Sequence, residues 1–247
     1  VPDKAIRRAG TLLSRGLADS ALVVIDGAID QAPLHAGARF VRARTLESLG
    51  SMKEAREAYT AAKDRDELRF RAPEAMNDII RDLAENHGAR VVDTRLAMEK
   101  ASPNGLIGKD MMLEHLHPTV PGYRILGGAF FMGLAGDRFG QERGVSWTWD
   151  QALSERRLPT PIPAVDSLSG AYRVQQLTAS WPFKPIGSRL TRIDTLMPGT
   201  LTGDVALRLF RDDIQRIEAL DAIQTAATQS GDLETAQTYL EAIIQSF

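Results

Sequence analysis

A spacing of 34 residues recurs near the start of the chain and constrains its fold more than any other feature. Four pairs of residues share this spacing: Gly16 with Gly50, Ala21 with Ala55, Ile25 with Tyr59, and Ala28 with Ala62. Glycine permits a tight turn, and alanine lets two helices cross closely. The sequence therefore predicts two consecutive helical hairpins, over residues 4–32 and 35–64.

The second of these hairpins resembles the tetratricopeptide-repeat family. Residues Ala36 to Lys63, which contain ARTLESLGSMKEAREAYTAA, carry the likeness. The first hairpin matches less closely, since Arg8 stands where a large apolar residue is usual. The resemblance implies a concave helical surface that binds a protein or peptide partner.

The C-terminus resembles one further repeat. Residues 214–230 and 233–247 flank a glycine at position 231, and Ala236 and Leu240 occupy the repeat-like positions. Gln224 and Ile243 replace the small residues that the family pattern expects. Two or three repeats in separate blocks are too few for a free-standing solenoid, so we expect them to pack against the middle of the chain.

The region from residue 72 to residue 135 has a different pattern. A helix is predicted over Glu74–His87, then a short strand over Ala89–Asp93 and a helix over Thr94–Lys100. Asp93 is expected either to cap that second helix or to turn the chain after the strand. An apolar helix follows over Tyr123–Leu134. A helix, strand and helix with a polar loop at the end are typical of an α/β fold.

The loop itself, LEHLHPTVPGY over Leu113–Tyr123, holds an acid three residues before a histidine. A neutral imidazole accepts a proton from a serine hydroxyl, and a carboxylate on its other nitrogen fixes the tautomer. Glu114 and His117 are therefore predicted to form an acid–base pair. His115 is expected to be exposed, and Gly122 is expected to let the chain turn away.

Residues Asn77 to Leu134 resemble the C-terminal part of an SGNH (GDSL-type) hydrolase. The likeness lies in NDIIRDLAENHG, ARVVD and LEHLHPTVPGY. It implies that Glu114 and His117 are the acid and base of a Ser–His–acid triad, although the family more usually has Asp at the acid position. It also implies ester hydrolysis or acyl transfer on a small or carbohydrate-linked acyl group.

The other blocks of that family are not recognisable. No Gly-Asp-Ser sequence occurs, because Gly203-Asp204 is followed by Val205. Asn77-Asp78 lies within a predicted helix and lacks the preceding glycine of the family's oxyanion block. We therefore expect no strong esterase activity from this chain by itself.

Three functions stay open from the sequence. The favoured one is the C-terminal portion of an SGNH-like hydrolase or acyltransferase whose serine lies in an upstream segment, since the chain does not begin with Met. The second is a non-catalytic repeat module that binds a protein. The third is a metal site at Glu114, His115 and His117, for which Asp110 or His87 would supply a further ligand.

Composition excludes some classes of site and partner. The chain has no cysteine, which rules out disulfides and thiolate chemistry. A net charge of −2 gives no argument for a nucleic-acid partner. The longest apolar run, Ile125 to Ala135, is too short to span a membrane. No cofactor is predicted, and the cytoplasm and the periplasm are equally suitable compartments.

The predicted architecture is mainly α, with tetratricopeptide-like hairpins around an incomplete SGNH-type α/β element. Four ranges follow: repeats over 1–66, the hydrolase-like segment over 67–140, a connecting region over 141–211, and a C-terminal hairpin over 212–247. Within the connecting region, helices are expected over Ala164–Ser180 and Leu201–Arg211, and an irregular crossing at Trp147, Trp149 and Pro159–Pro163.

Overall fold

A computed structural model describes residues 2–135, 140, 142–144, 148–151, 162–181, 183–184, 196–197 and 199–247. The chain is mainly α-helical, as predicted. It divides into two compact units, Val1–Val145 and Ser146–Phe247. No helix of the described ranges has the length and apolar character needed to cross a membrane.

The first unit contains seven α-helices within its described residues: α1 Pro2–Ser14, α2 Ala18–Gln31, α3 Ala36–Ser48, α4 Met52–Asp64, α5 Glu74–Asn86, α6 Thr94–Ala101 and α7 Val120–Ala135. A short 3₁₀ turn, Pro103–Gly105, follows α6. The described part of the second unit holds α8 Ala164–Leu177, α9 Leu201–Phe210, α10 Arg216–Ser230 and α11 Leu233–Ile244.

The 34-residue spacing corresponds to two helical hairpins, α1–α2 and α3–α4, which pack side by side through α2 and α3. The small residues of the pattern are buried in both hairpins: Ala21, Ala28, Ala55 and Ala62. At the larger position, Ile25 is fully buried and Tyr59 partly buried. The predicted hairpins are confirmed, and close packing at alanine explains why this spacing recurs.

Each hairpin turns at a glycine with a left-handed backbone. The φ angles are 76° at Gly16, 78° at Gly50 and 78° at Gly231. The residue after each glycine donates its N–H to the carbonyl five residues earlier, over 3.0 Å at Leu17 and 2.9 Å at Ser51. This is the Schellman closure of a helix, and only glycine adopts its backbone conformation without strain.

The predicted strand over Ala89–Asp93 is wrong, and the α/β character expected of this element is not supported. Among the described residues the one β-type pairing is an isolated antiparallel bridge between Met112 and Pro118. A strand needs a neighbouring strand for its hydrogen bonds. Residues 89–92 lie instead against α5 and α7, where Arg90 donates to the Gly133 carbonyl over 2.9 Å.

The helices predicted around that segment are confirmed at α5, α6 and α7, with ends that differ by up to three residues. Asp93 caps α6 as expected, since its Oδ1 accepts the N–H of Leu96 over 2.9 Å.

The second unit has its own core, centred on Tyr172, Leu220 and Val165. The helices predicted at α8, α9, α10 and α11 are present. Leu240, at one of the repeat-like positions, is 47% exposed. Tyr239 is buried instead, and its hydroxyl accepts the N–H of Val165 over 3.1 Å. Trp147 and residues 159–161 of the predicted irregular crossing lie outside the described residues.

We expect Gly50→Ala to lower the free energy of unfolding by about 1–2 kcal/mol, because alanine is strained in the left-handed conformation. Gly27→Ala is the matched control within α2, where the added methyl meets open space. That control should raise the free energy by up to about 1 kcal/mol through helix propensity. Urea unfolding measures both changes, and a loss of equal size in the two variants would contradict this account of the turn.

Candidate active site

The predicted acid–base pair lies in a loop that closes on itself just before α7. Leu113 donates its N–H to the His117 carbonyl over 2.8 Å, and Thr119 donates to the Met111 carbonyl over 2.9 Å. The Thr119 hydroxyl accepts the N–H of Gly122 over 3.1 Å and so caps the first turn of α7. These bonds fix the backbone on both sides of the pair.

The carboxylate of Glu114 is held by the loop's own backbone. Its Oε1 accepts the N–H of His117 over 2.8 Å, and its Oε2 accepts that of Leu116 over 2.9 Å. The side chain is only 2% exposed. Burial by itself would raise the pKa of Glu114, but the hydrogen bonds from His117 and Leu116 outweigh it and hold the pKa below its ordinary value. Glu114 is therefore a fixed, ionised acceptor.

The structure brings His117 into direct contact with this carboxylate. Its Nδ1 lies against Glu114 Oε1, and the imidazole is 55% exposed. A carboxylate at Nδ1 selects the tautomer with the proton on that nitrogen. Nε2 then carries a free lone pair, and no described residue bonds to it. The arrangement suits a general base, because a partly exposed imidazole can accept a proton from a reacting group outside the loop.

His115 is partly buried, so the expectation that it is exposed is wrong. Its side chain is 20% exposed, and its ring lies against Phe70 with the two centroids 4.6 Å apart. Its Nδ1 contacts Glu114 Oε2, though not in hydrogen-bonding geometry. Glu114 thus lies between two imidazoles. No sequence signal linked Phe70 to this loop.

The geometry gives little basis for the metal alternative. Both imidazoles present Nδ1 to Glu114 rather than to a common open point. Within the described ranges no three histidine, aspartate or glutamate side chains are grouped to hold an ion. Asp110 and His87 are therefore not grouped with the loop's side chains as ligands in the described residues.

Gly122 has a different role from the one predicted. It lies in the first turn of α7 rather than in a bend, and a Cβ there would be 2.2 Å from the Met111 carbonyl oxygen and 3.0 Å from Pro118 Cβ. The absence of a side chain therefore lets α7 approach the loop closely. This contact supports the backbone around Glu114 and His117.

The polar residues nearest in sequence do not complete a triad. The buried Ser102 hydroxyl donates to the Met98 carbonyl over 2.9 Å at the end of α6. The Asn77 amide donates to Glu74 Oε1 over 3.0 Å within α5. No serine hydroxyl in the described part of the chain bonds to His117.

Comparisons with known proteins give no relative from which a role could be transferred. No family model, no curated protein and no solved structure matches the chain.

We expect the stability contributed by Glu114 to depend on pH. Because the pKa of Glu114 is lowered in the folded state, the ionised group stabilises the fold above its ordinary pKa of 4.5. That contribution is lost as the pH falls through the lower, folded-state value. The difference in unfolding free energy between wild type and Glu114→Gln should therefore be largest near neutral pH and shrink below about pH 4.5.

Urea unfolding between neutral pH and about pH 3 measures this difference. Glu57→Gln, at an exposed position of α4, is the control and should show little change with pH. A Glu114→Gln difference that stays constant over the whole range would contradict the ionised, hydrogen-bonded Glu114.

A second prediction concerns the close approach of α7 to the loop at Gly122. Gly122→Ala should lower the free energy of unfolding by about 1–3 kcal/mol, because the methyl forces the Met111 carbonyl away. Gly10→Ala in α1, where nothing lies within 4 Å of the new methyl, should not destabilise the protein. Thermal unfolding compares the two variants, and equal midpoints would show that the close approach carries no strain.

Proposed function

We propose that this chain supplies the acid–base half of a Ser–His–acid site in an SGNH-like ester hydrolase or acyltransferase. One observation carries the proposal: Glu114 holds both the backbone N–H and the Nδ1 of His117, while Nε2 has no bonding partner among the described residues. An oriented, partly exposed imidazole with a buried carboxylate behind it is the arrangement that this chemistry requires.

The reaction follows from that arrangement. A serine hydroxyl attacks the ester carbonyl, and His117 Nε2 takes the hydroxyl proton as the new C–O bond forms. Glu114 stabilises the resulting imidazolium. His117 then returns the proton to the departing alcohol, which leaves an acyl-serine. Water or an acceptor alcohol attacks that acyl group in the second half of the reaction, with His117 again as the base.

The surroundings of the site support its place in a larger domain. The apolar face of α5, formed by Met76, Ile79, Ile80 and Leu83, is between 48% and 53% exposed. Phe130 on α7 is 54% exposed and borders the same groove as residues 89–92. An apolar surface of this extent usually meets another structural layer. A further structural layer on this face would belong to the same domain and would bring the serine block with it.

The paired hairpins support the finer interpretation of α1–α4 as tetratricopeptide-like repeats. The 34-residue spacing, the buried alanines and the glycine turns agree with that family's plan. In the proposed enzyme these repeats carry the hydrolase-like segment and offer a surface to a protein partner. A purely non-catalytic repeat protein remains the alternative, and it predicts no function for His117.

The test uses hydrolysis of p-nitrophenyl acetate. The 247 residues alone should turn this ester over only slowly, whereas a polypeptide that joins them to a serine-bearing SGNH segment should be active. In that polypeptide His117→Ala should lower turnover by at least about a thousandfold, because the serine loses its base. Glu114→Gln should lower it as well, since the imidazolium loses its counter-charge.

His87→Ala is the matched control, because His87 is an exposed residue at the end of α5 that is outside the loop. It should leave turnover unchanged. Rapid hydrolysis by the 247 residues alone, abolished by His117→Ala, would show that the nucleophile lies within this chain. Full activity of His117→Ala in the joined polypeptide would refute the site itself.

A further inference from the structure

The first unit contains a concave site that is separate from the Glu114–His117 loop. A cavity of about 510 Å³ lies between the α3–α4 hairpin and the segment at residues 105–109, with the start of α5 and one face of α6 as further walls. Its volume is in the range of sites that hold a small molecule. A cavity of this volume admits a small molecule but not a folded partner.

In the inner part of the cavity, the charged side chains pair with one another. Lys63 donates to Glu74 over 2.9 Å, and Arg95 pairs with the other oxygen of Glu74 over 3.0 Å. The hydrogen bond from Lys63 is the main cause that lowers the pKa of Glu74. At the side, the Tyr59 hydroxyl donates to Glu47 over 2.6 Å. The charges of these groups are therefore already paired, and the groups form a fixed wall of the cavity.

The mouth of the cavity is different, because its cations lack counter-charges. Arg44, Arg71 and Lys109 form no ion pair with any carboxylate in the described ranges. Arg56 donates to a neutral acceptor, the Gly105 carbonyl, over 3.0 Å. Six cationic and three anionic side chains line the cavity, although the whole chain carries a net charge of −2. The lining of this cavity therefore carries a local excess of positive charge.

An aromatic pair stands beside these cations. The Phe40 and Tyr59 rings meet edge to face, with centroids 5.7 Å apart and planes at 63°. Phe40 is 44% exposed and lines the cavity. Cations with a neighbouring exposed ring match a ligand that has one charged and one apolar end.

We propose that this cavity binds a small organic oxyanion, a carboxylate or a phosphate monoester, whose apolar part packs against Phe40. Arg44, Arg71 and Lys109 supply the charge that holds the oxyanion, and guanidinium groups match the geometry of both carboxylate and phosphate. The site does not depend on the acyl-transfer function, because none of its residues belongs to the Glu114–His117 loop.

Isothermal titration of the 247-residue protein tests this site with three probes at low ionic strength: phenyl phosphate, benzoate and benzyl alcohol. We expect saturable one-to-one binding of at least one anion and none of the neutral alcohol. Binding of phenyl phosphate alone identifies a phosphate monoester site, and binding of benzoate alone a carboxylate site. Affinity should weaken as salt is added, because the contacts are ionic.

Variants locate the binding in the cavity. The double variant Arg71→Gln/Lys109→Gln and the single variant Arg44→Gln should each weaken anion affinity by about tenfold or more. Lys53→Gln removes one charge from the exposed side of α4, outside the cavity, and should leave affinity unchanged. Circular dichroism checks that each variant is folded.

Three results would overturn the proposal. The first is no saturable binding of either anion up to millimolar concentrations. The second is equal binding of benzyl alcohol, which would make the site apolar rather than anion-specific. The third is an equal loss of affinity in Lys53→Gln and Arg44→Gln, which would reduce the effect to the protein's overall charge.

Discussion

A left-handed glycine at the end of a helix is the constraint on which most of this structure depends. It reverses the chain within two or three residues at Gly16, Gly50 and Gly231, so that the helices on either side pack against each other. Gly88 ends α5 in the same way, with φ at 63° and the Ala89 N–H donated to the Ala84 carbonyl over 2.8 Å. That fourth turn directs residues 89–93 between α5 and α7, and so positions the region that leads to the acid–base loop.

The helices were predictable because their signals are local. Apolar spacing, small residues at crossings and a stop glycine all act within one or two turns, and α8 and α9 followed from the same signals as the hairpins. The strand was not predictable in this way. Val91 and Val92 favour extended structure, but a strand forms only when a second strand offers hydrogen bonds. Such a second strand would come from a distant part of the sequence. Phe70, which contacts His115, is also far from the loop in sequence.

The two candidate sites also differ in how far apart their residues lie in the sequence. Glu114 and His117 are three residues apart on one turn, so the sequence alone was enough to predict their contact. The cavity is built from four separate parts of the chain, and the net charge of the whole protein hides its positive character. Gly122 shows a third case. Its presence in the motif was visible, but its close approach to Met111 needed the packed helix α7.

The bonding of Glu114 has an evolutionary consequence. One carboxylate oxygen holds the backbone and the ring of the same histidine, so the pair assembles within four consecutive residues. Such a peptide carries its geometry with it when genes recombine or when neighbouring segments diverge. Neighbouring segments can then change while the contact between Glu114 and His117 stays intact.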